Sequence, residues 1–141
     1  MLDVANGFSA MDSSLSKLMR EQLEQVLSQR IQALYRVKLG HQPSQVSCRL
    51  FDEQLAILIE ACLTPSEQSL INTGQSQLAQ QVRTDLNKAL EPQLKQLIEE
   101  IIHVPVIDLL SDATLETGRT GTIAVLAAAP QAHEPSSTNQ G

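Results

Sequence analysis

Residues 45–67 read QVSCRLFDEQLAILIEACLTPSE, and this stretch decides the fold. From Gln45 to Phe51 the side chains alternate. Val46, Cys48 and Leu50 point one way, and Ser47, Arg49 and Phe51 the other, which is the period of a half-buried strand. Asp52-Glu53 supplies a turn, and Gln54–Leu63 is apolar on both faces, as a central strand is. A turn centred there pairs Leu50 with Leu55, Cys48 with Ile57 and Val46 with Ile59, which gathers those six residues on one face. In that register Cys48 and Cys62 lie roughly 17 Å apart at strand rise. A disulfide needs Cα atoms within roughly 7 Å, so both are expected to be free thiols acting as small buried hydrophobes. Thr64-Pro65-Ser66-Glu67 then opens a helix, with Thr64 as N-cap, Pro65 at N1 and Glu67 at N3 closing a capping box.

Upstream, Leu15, Leu18, Met19, Leu23, Val26, Leu27, Ile31, Leu34 and Tyr35 keep an i, i+3, i+4 spacing. They predict a long amphipathic helix from about Ser13 to Leu39, with Asp12 as N-cap. Residues 1–11 are expected to form a flexible arm. Downstream, the helix opened by Thr64 ends near Thr73-Gly74. A longer one starts around Gln75 and buries Leu78, Val82, Leu86, Leu90, Leu94, Leu97, Ile98 and Ile101. Pro92 lies inside it and predicts a kink or break near residues 88–91. Two further strands are expected, Val104–Ser111 and Thr122–Ala128, joined by a polar loop over 112–121. Residues 130–141 have the composition of a disordered tail.

The order is α-β-β-α-α-β-β in a single domain spanning 12–129. Two hairpins join into a four-stranded antiparallel sheet, with helices packed on one side. That is an α+β two-layer roll.

The 141 residues carry 42% hydrophobics and a net charge of −6, enough apolar surface for one globular core. An acidic chain is a poor general nucleic-acid binder. No apolar run reaches the ~18–20 residues of a membrane span, and the N-terminus lacks the basic start of a signal peptide. The expectation is a cytoplasmic protein with neither nucleic-acid nor membrane partners.

Several of these residues also carry a family resemblance. They are Leu63-Thr64-Pro65-Ser66-Glu67 after a hydrophobic strand, Val82-Arg83, Leu97-Ile98-Glu99-Glu100, the run from Val106 to Asp112, and the apolar strand from Thr122 to Leu126. In their order and spacing, the stretch from about Leu15 to Leu126 resembles a bacterial domain-of-unknown-function family of short single-domain proteins, common in cyanobacteria. The resemblance implies no agreed biochemical activity. It does imply an association with regulation of biofilm formation, through a small cyanobacterial protein of this kind.

The residues that could carry chemistry are few. His41, His103 and His133 are isolated, with no Cys at ligand spacing, so no metal site and no cofactor are expected. Glu99 and His103 sit four residues apart on one helical face, the spacing of a general acid/base pair or of a surface ion pair. The ion pair is the simpler expectation, and no nucleophile or phosphate-loop motif accompanies it. Arg83 sits beside the apolar stripe of its helix, placed to pair with Glu67 or Glu99 or to present a charge to a partner.

The sheet leaves one face over. If helices cover the side bearing Leu50, Leu55, Ile57 and Ile59, the other carries Phe51, Ala56, Leu58 and Cys62, joined by Val106 and Leu110 or their alternates. Arg49, Glu60 and Asp108 rim it. Apolar patches with charged rims mark interaction sites. The expectation is therefore a non-enzymatic regulatory or adaptor protein that binds an unidentified protein, or a second copy of itself, through this face. A small-molecule sensor with an apolar pocket between sheet and helices is the alternative.

Overall fold

A computed structural model describes the backbone of residues 2–130 and the side chains of residues 17–130. The elements are α1 (Leu2–Leu39), β1 (Gln45–Phe51), β2 (Gln54–Glu60), α2 (Pro65–Asn72), α3 (Ser76–Ile102), β3 (Val106–Thr114) and β4 (Arg119–Leu126). They occur in the expected order. The strands form one antiparallel sheet in the spatial order β1-β2-β4-β3, so β1 and β3 are its edges.

The first hairpin has the expected register, with Leu50 opposite Leu55, Cys48 opposite Ile57 and Val46 opposite Ile59. Both cysteines are free and buried. The helices pack on the face these residues share. Leu27, Ile31 and Tyr35 of α1 and Leu90, Leu94, Ile98 and Ile102 of α3 meet Cys48, Leu50, Leu55, Ile57, Ile59, Ala124 and Leu126 in a single core. Thr120 and Thr122 are buried on the same face. Thr122 Oγ1 lies 2.8 Å from Ser111 Oγ, and Thr120 donates to Cys62 Sγ at 3.6 Å. Both hydroxyls are thus partnered, as buried polar groups must be.

The helices differ from expectation in three ways. First, α1 is already helical at Leu2, so Asp12 lies within it; extending an existing helix adds a hydrogen bond for each residue fixed. The side chains of 1–16, Leu15 included, and the tail beyond Pro130 lie outside the described residues. Second, Leu18 is exposed, because packing against the core begins only near Leu23, and Val26 is exposed beyond that point, off the Leu23, Leu27 and Ile31 row that packs on the core. Third, α3 runs unbroken through Pro92. Pro92 is on the solvent side of α3, where water can take the carbonyl its missing N–H leaves free. Leu90, Leu94 and Ile98 of α3 are buried as expected, but the start of the buried row is shifted by one residue. Ala79 and Arg83 are inside, and Leu78 is exposed.

The last hairpin is longer than expected. Asp112, Ala113 and Thr114 pair with Gly121, Thr120 and Arg119, so most of the polar loop is strand. The chain reverses over residues 115–118, ending at Gly118, whose φ of 69° is one that glycine adopts without a steric penalty.

Candidate functional site

The uncovered face of the sheet is the candidate site. Its side chains fall into rows set by the strand register. Phe51, Gln54, Val125 and Asp108 form the first row, and Arg49, Ala56, Ile123 and Leu110 the second. Ser47, Leu58, Gly121 and Asp112 form the third. At the far end Arg119 Nε donates to Glu60 Oε1 at 3.2 Å, in a solvent-exposed ion pair. The face is apolar at Leu58, 42% exposed on a central strand, and at Leu110, 55% exposed on the edge strand β3, and Phe51, 46% exposed, stands at one corner. These large apolar side chains share one contiguous face of the sheet. Arg49 bends back along its own strand, where Nη1 donates to the Cys48 carbonyl at 2.9 Å.

Four of the expected surface residues, Arg49, Phe51, Leu58 and Glu60, lie on this face in β1 and β2, and Asp108 joins them from β3. Two residues expected beside them do not. Ala61 adopts a left-handed φ of 54°. This breaks the strand alternation and turns Cys62 inward, where its N–H donates to the Gly118 carbonyl at 2.9 Å. In β3 a bulge lies between Val106 and Asp108. Its extra residue reverses the alternation, so Val106 is buried while Asp108 and Leu110 face out. β4 adds Gly121, Ile123 and Val125 to the face, beyond the residues expected there. Its signal is the alternation of residues 119–126, RTGTIAVL, which two inward threonines disguise.

Arg83 is not on any surface. It is completely buried and pairs with Glu67, the first of its two expected partners. Nε donates to Glu67 Oε2 at 2.8 Å and Nη2 donates to Oε1. Nη2 also reaches the Cys62 carbonyl at 2.8 Å, and Nη1 reaches Cys62 Sγ at 3.2 Å and Asn87 Oδ1 at 3.4 Å. A guanidinium has five N–H donors, and here each has an acceptor. Glu67 in turn accepts from the Thr64 backbone N–H and hydroxyl at 3.0 and 2.9 Å. The capping box is therefore the anchor of a buried network that ties the end of β2 to α2 and α3. Burial alone would raise the Glu67 carboxyl, but the hydrogen bonds from Arg83 and Thr64, with the Arg83 charge, outweigh it and hold the carboxyl below its ordinary range. Burial also raises the Cys62 thiol, against the opposing charge of Arg83, and lifts Cys48 to about 11. Neither is poised as a thiolate nucleophile.

Glu99 and His103 do not form a pair. Glu99 Oε2 accepts from the Val106 backbone N–H at 2.7 Å, and His103 is the exposed left-handed C-cap of α3, with φ 59°. Glu24 does the same for the other edge strand, accepting from the Leu50 N–H at 2.7 Å. Both edges of the sheet thus have a backbone donor stopped by a helix carboxylate, one of the ways proteins protect strand edges. Among the described residues no group of three or more His, Cys, Asp or Glu could hold a metal ion.

The layer between sheet and helices, where an apolar ligand pocket was the alternative expectation, holds the side chains of the core. An open groove of about 940 Å³ lies instead between α1 and β1, and most of the residues that line it are of polar type, including Arg20, Glu24, Gln32 and Arg49. No described helix is long and apolar enough to cross a membrane.

A family model described as "Na+-translocating membrane potential-generating system (MpsC)" matches residues 19–128, which is 110 of the 141 residues. The chain belongs to the MpsC family. The matched MpsC segment begins near the middle of α1, just before the part that packs on the core, and ends just after β4, so it includes every strand of the open face. No curated protein and no solved structure matches this MpsC chain.

Proposed function

We propose that this MpsC-family chain is a non-enzymatic docking protein that works through protein–protein contacts at the open face of its sheet. The observation that carries this is the apolar surface of that face, with Leu58 and Leu110 exposed and Arg49, Glu60, Asp108, Asp112 and Arg119 around it. The family description names a sodium-translocating, membrane-potential-generating system. A docking role within such a system asks of this chain a recognition surface, not a reactive centre. The titratable groups fit that role, since Glu67, Glu24 and Glu99 are each engaged in holding backbone or Arg83. An effect on biofilm formation, which the family resemblance implies, would follow from docking rather than from catalysis.

The test is capture from a native lysate with tagged wild type beside Leu58→Glu. Leu58 projects from the outer face and takes no part in the core, so the variant should keep its helical circular dichroism. Any protein held by wild type, another copy of the chain included, should be lost by the folded variant. Equal capture by both would defeat the proposal.

A further inference from the structure

The second and third rows of the open face, with the ion pair beyond them, are complementary to themselves. We propose that the partner docked there is a second copy of the chain, packed sheet to sheet about a two-fold axis that runs close to the strand direction between β2 and β4. This rests on the docking role given above and names its partner.

Rotation about such an axis places β2 of one copy over β4 of the other, and β1 over β3, with each row facing its own equivalent. Isologous contact of this kind requires the two halves of one patch to fit each other. Here the second and third rows do: Leu58 meets Gly121 in the third and Ala56 meets Ile123 in the second, while in the first Phe51 comes over Asp108 and Gln54 over Val125. At Leu58 and Ile123 a large side chain is set against a small one, on both sides of the axis. Gly121 has open space where a Cβ would stand, and its φ is not in the left-handed region that would require glycine. Its role is thus a hollow on the face rather than a backbone necessity. At the periphery Arg49 comes over Leu110, between Asp108 and Asp112 one step along the strand on either side. Glu60 of one copy comes over Arg119 of the other, so the ion pair seen within the chain gains an equivalent across the axis. Aligned sheets pack with interdigitated side chains at about −30°, which a two-fold axis tilted slightly from the strands produces.

The patch is small. Four strands of about seven residues span roughly 19 by 23 Å, below the size of a stable specific interface and in the range of weak, transient ones. The dimer is therefore expected to be concentration-dependent, with Kd on the order of 10 μM.

Sedimentation equilibrium on the full chain, from about 1 to 200 μM to bracket that Kd, is the test. Wild type should pass from monomer to dimer across the range. Gly121→Leu should be the most informative variant. It adds apolar surface to the face and replaces a weak strand former, so the fold should hold and melt no lower. A merely sticky face would associate more strongly with it. A face keyed by Leu58 and Gly121 should associate at least roughly tenfold more weakly. Arg49→Asp should also weaken the dimer, and Asp112→Arg added to it should restore part of the loss. Unchanged or stronger dimerisation of Gly121→Leu overturns the packing. Monomeric wild type at the highest concentration overturns the second copy as partner. If that monomer still captures another protein that Leu58→Glu loses, the docking role survives; if it captures nothing, both fall.

Discussion

The two faces of one sheet are built from neighbouring residues and differ in completion. On the inner face Leu55, Ile57 and Ile59 are buried under α1 and α3, and even the threonines among them have partners. On the outer face Ala56, Leu58 and Glu60, interleaved with those residues in the same strand, are half-buried or exposed. The same contrast separates the two Arg–Glu pairs. Arg83 and Glu67 are sealed inside with every guanidinium donor used, while Arg119 and Glu60 make one contact in the open. Alternation along a strand divides its side chains between holding the fold and displaying a surface. Substitutions one residue apart should therefore have unlike consequences.

The largest effect is expected at the sealed pair. Arg83→Met removes five donors and leaves Glu67 charged and buried, which should cost about 3–5 kcal/mol and be read as a large fall in the denaturant midpoint. Arg119→Gln at the open pair should cost no more than ~1 kcal/mol. Similar losses at the two would dissolve the distinction between them.

Adjacent residues of β2 sharpen it next. Ile57→Ala is expected to cost about 2–5 kcal/mol, since it empties a filled core position. Leu58→Ala should change stability by less than ~1 kcal/mol. Chemical denaturation of the two variants side by side measures the difference directly.

A smaller effect is expected at the edge. Glu24→Ala leaves the buried Leu50 N–H without its acceptor, at about 1–3 kcal/mol. Hydrogen exchange of that amide should accelerate more than that of its neighbours.

The pH dependence is the mildest test. Glu67 is held below its ordinary range in the folded chain, so folding favours its ionised form. Its contribution is full at and above the pH where an unfolded glutamate ionises, and is lost as pH falls through the lowered native value. Wild type should lose stability in acid more steeply than Glu67→Gln. Parallel pH profiles would mean the pair does not couple to folding.

Much of this was legible in the sequence, for local reasons. The hairpin register follows from the alternation around Asp52-Glu53, and the α2 start from the Thr64-Pro65-Ser66-Glu67 box. What was not legible depends on backbone events that residue type does not announce. Ala61 takes a left-handed φ and turns Cys62 inward, and the bulge after Val106 re-aims β3. Arg83 reads as a surface charge by type, and only the three-way convergence of β2, α2 and α3 makes it a core residue. The outer face was legible in β1 and β2, where the apolar pattern is strong. It was not in β4, whose inward threonines and outward Ile123 and Val125 reverse the usual polarity of a strand.

The central claim is that Leu58 and its face serve association while the opposite face serves the fold. One measurement addresses it most directly: thermal melting and sedimentation of Leu58→Glu in the same samples, beside wild type. The account predicts a melting temperature close to wild type together with loss of association. A collapsed melting temperature, or association equal to wild type at an intact melting temperature, would contradict it.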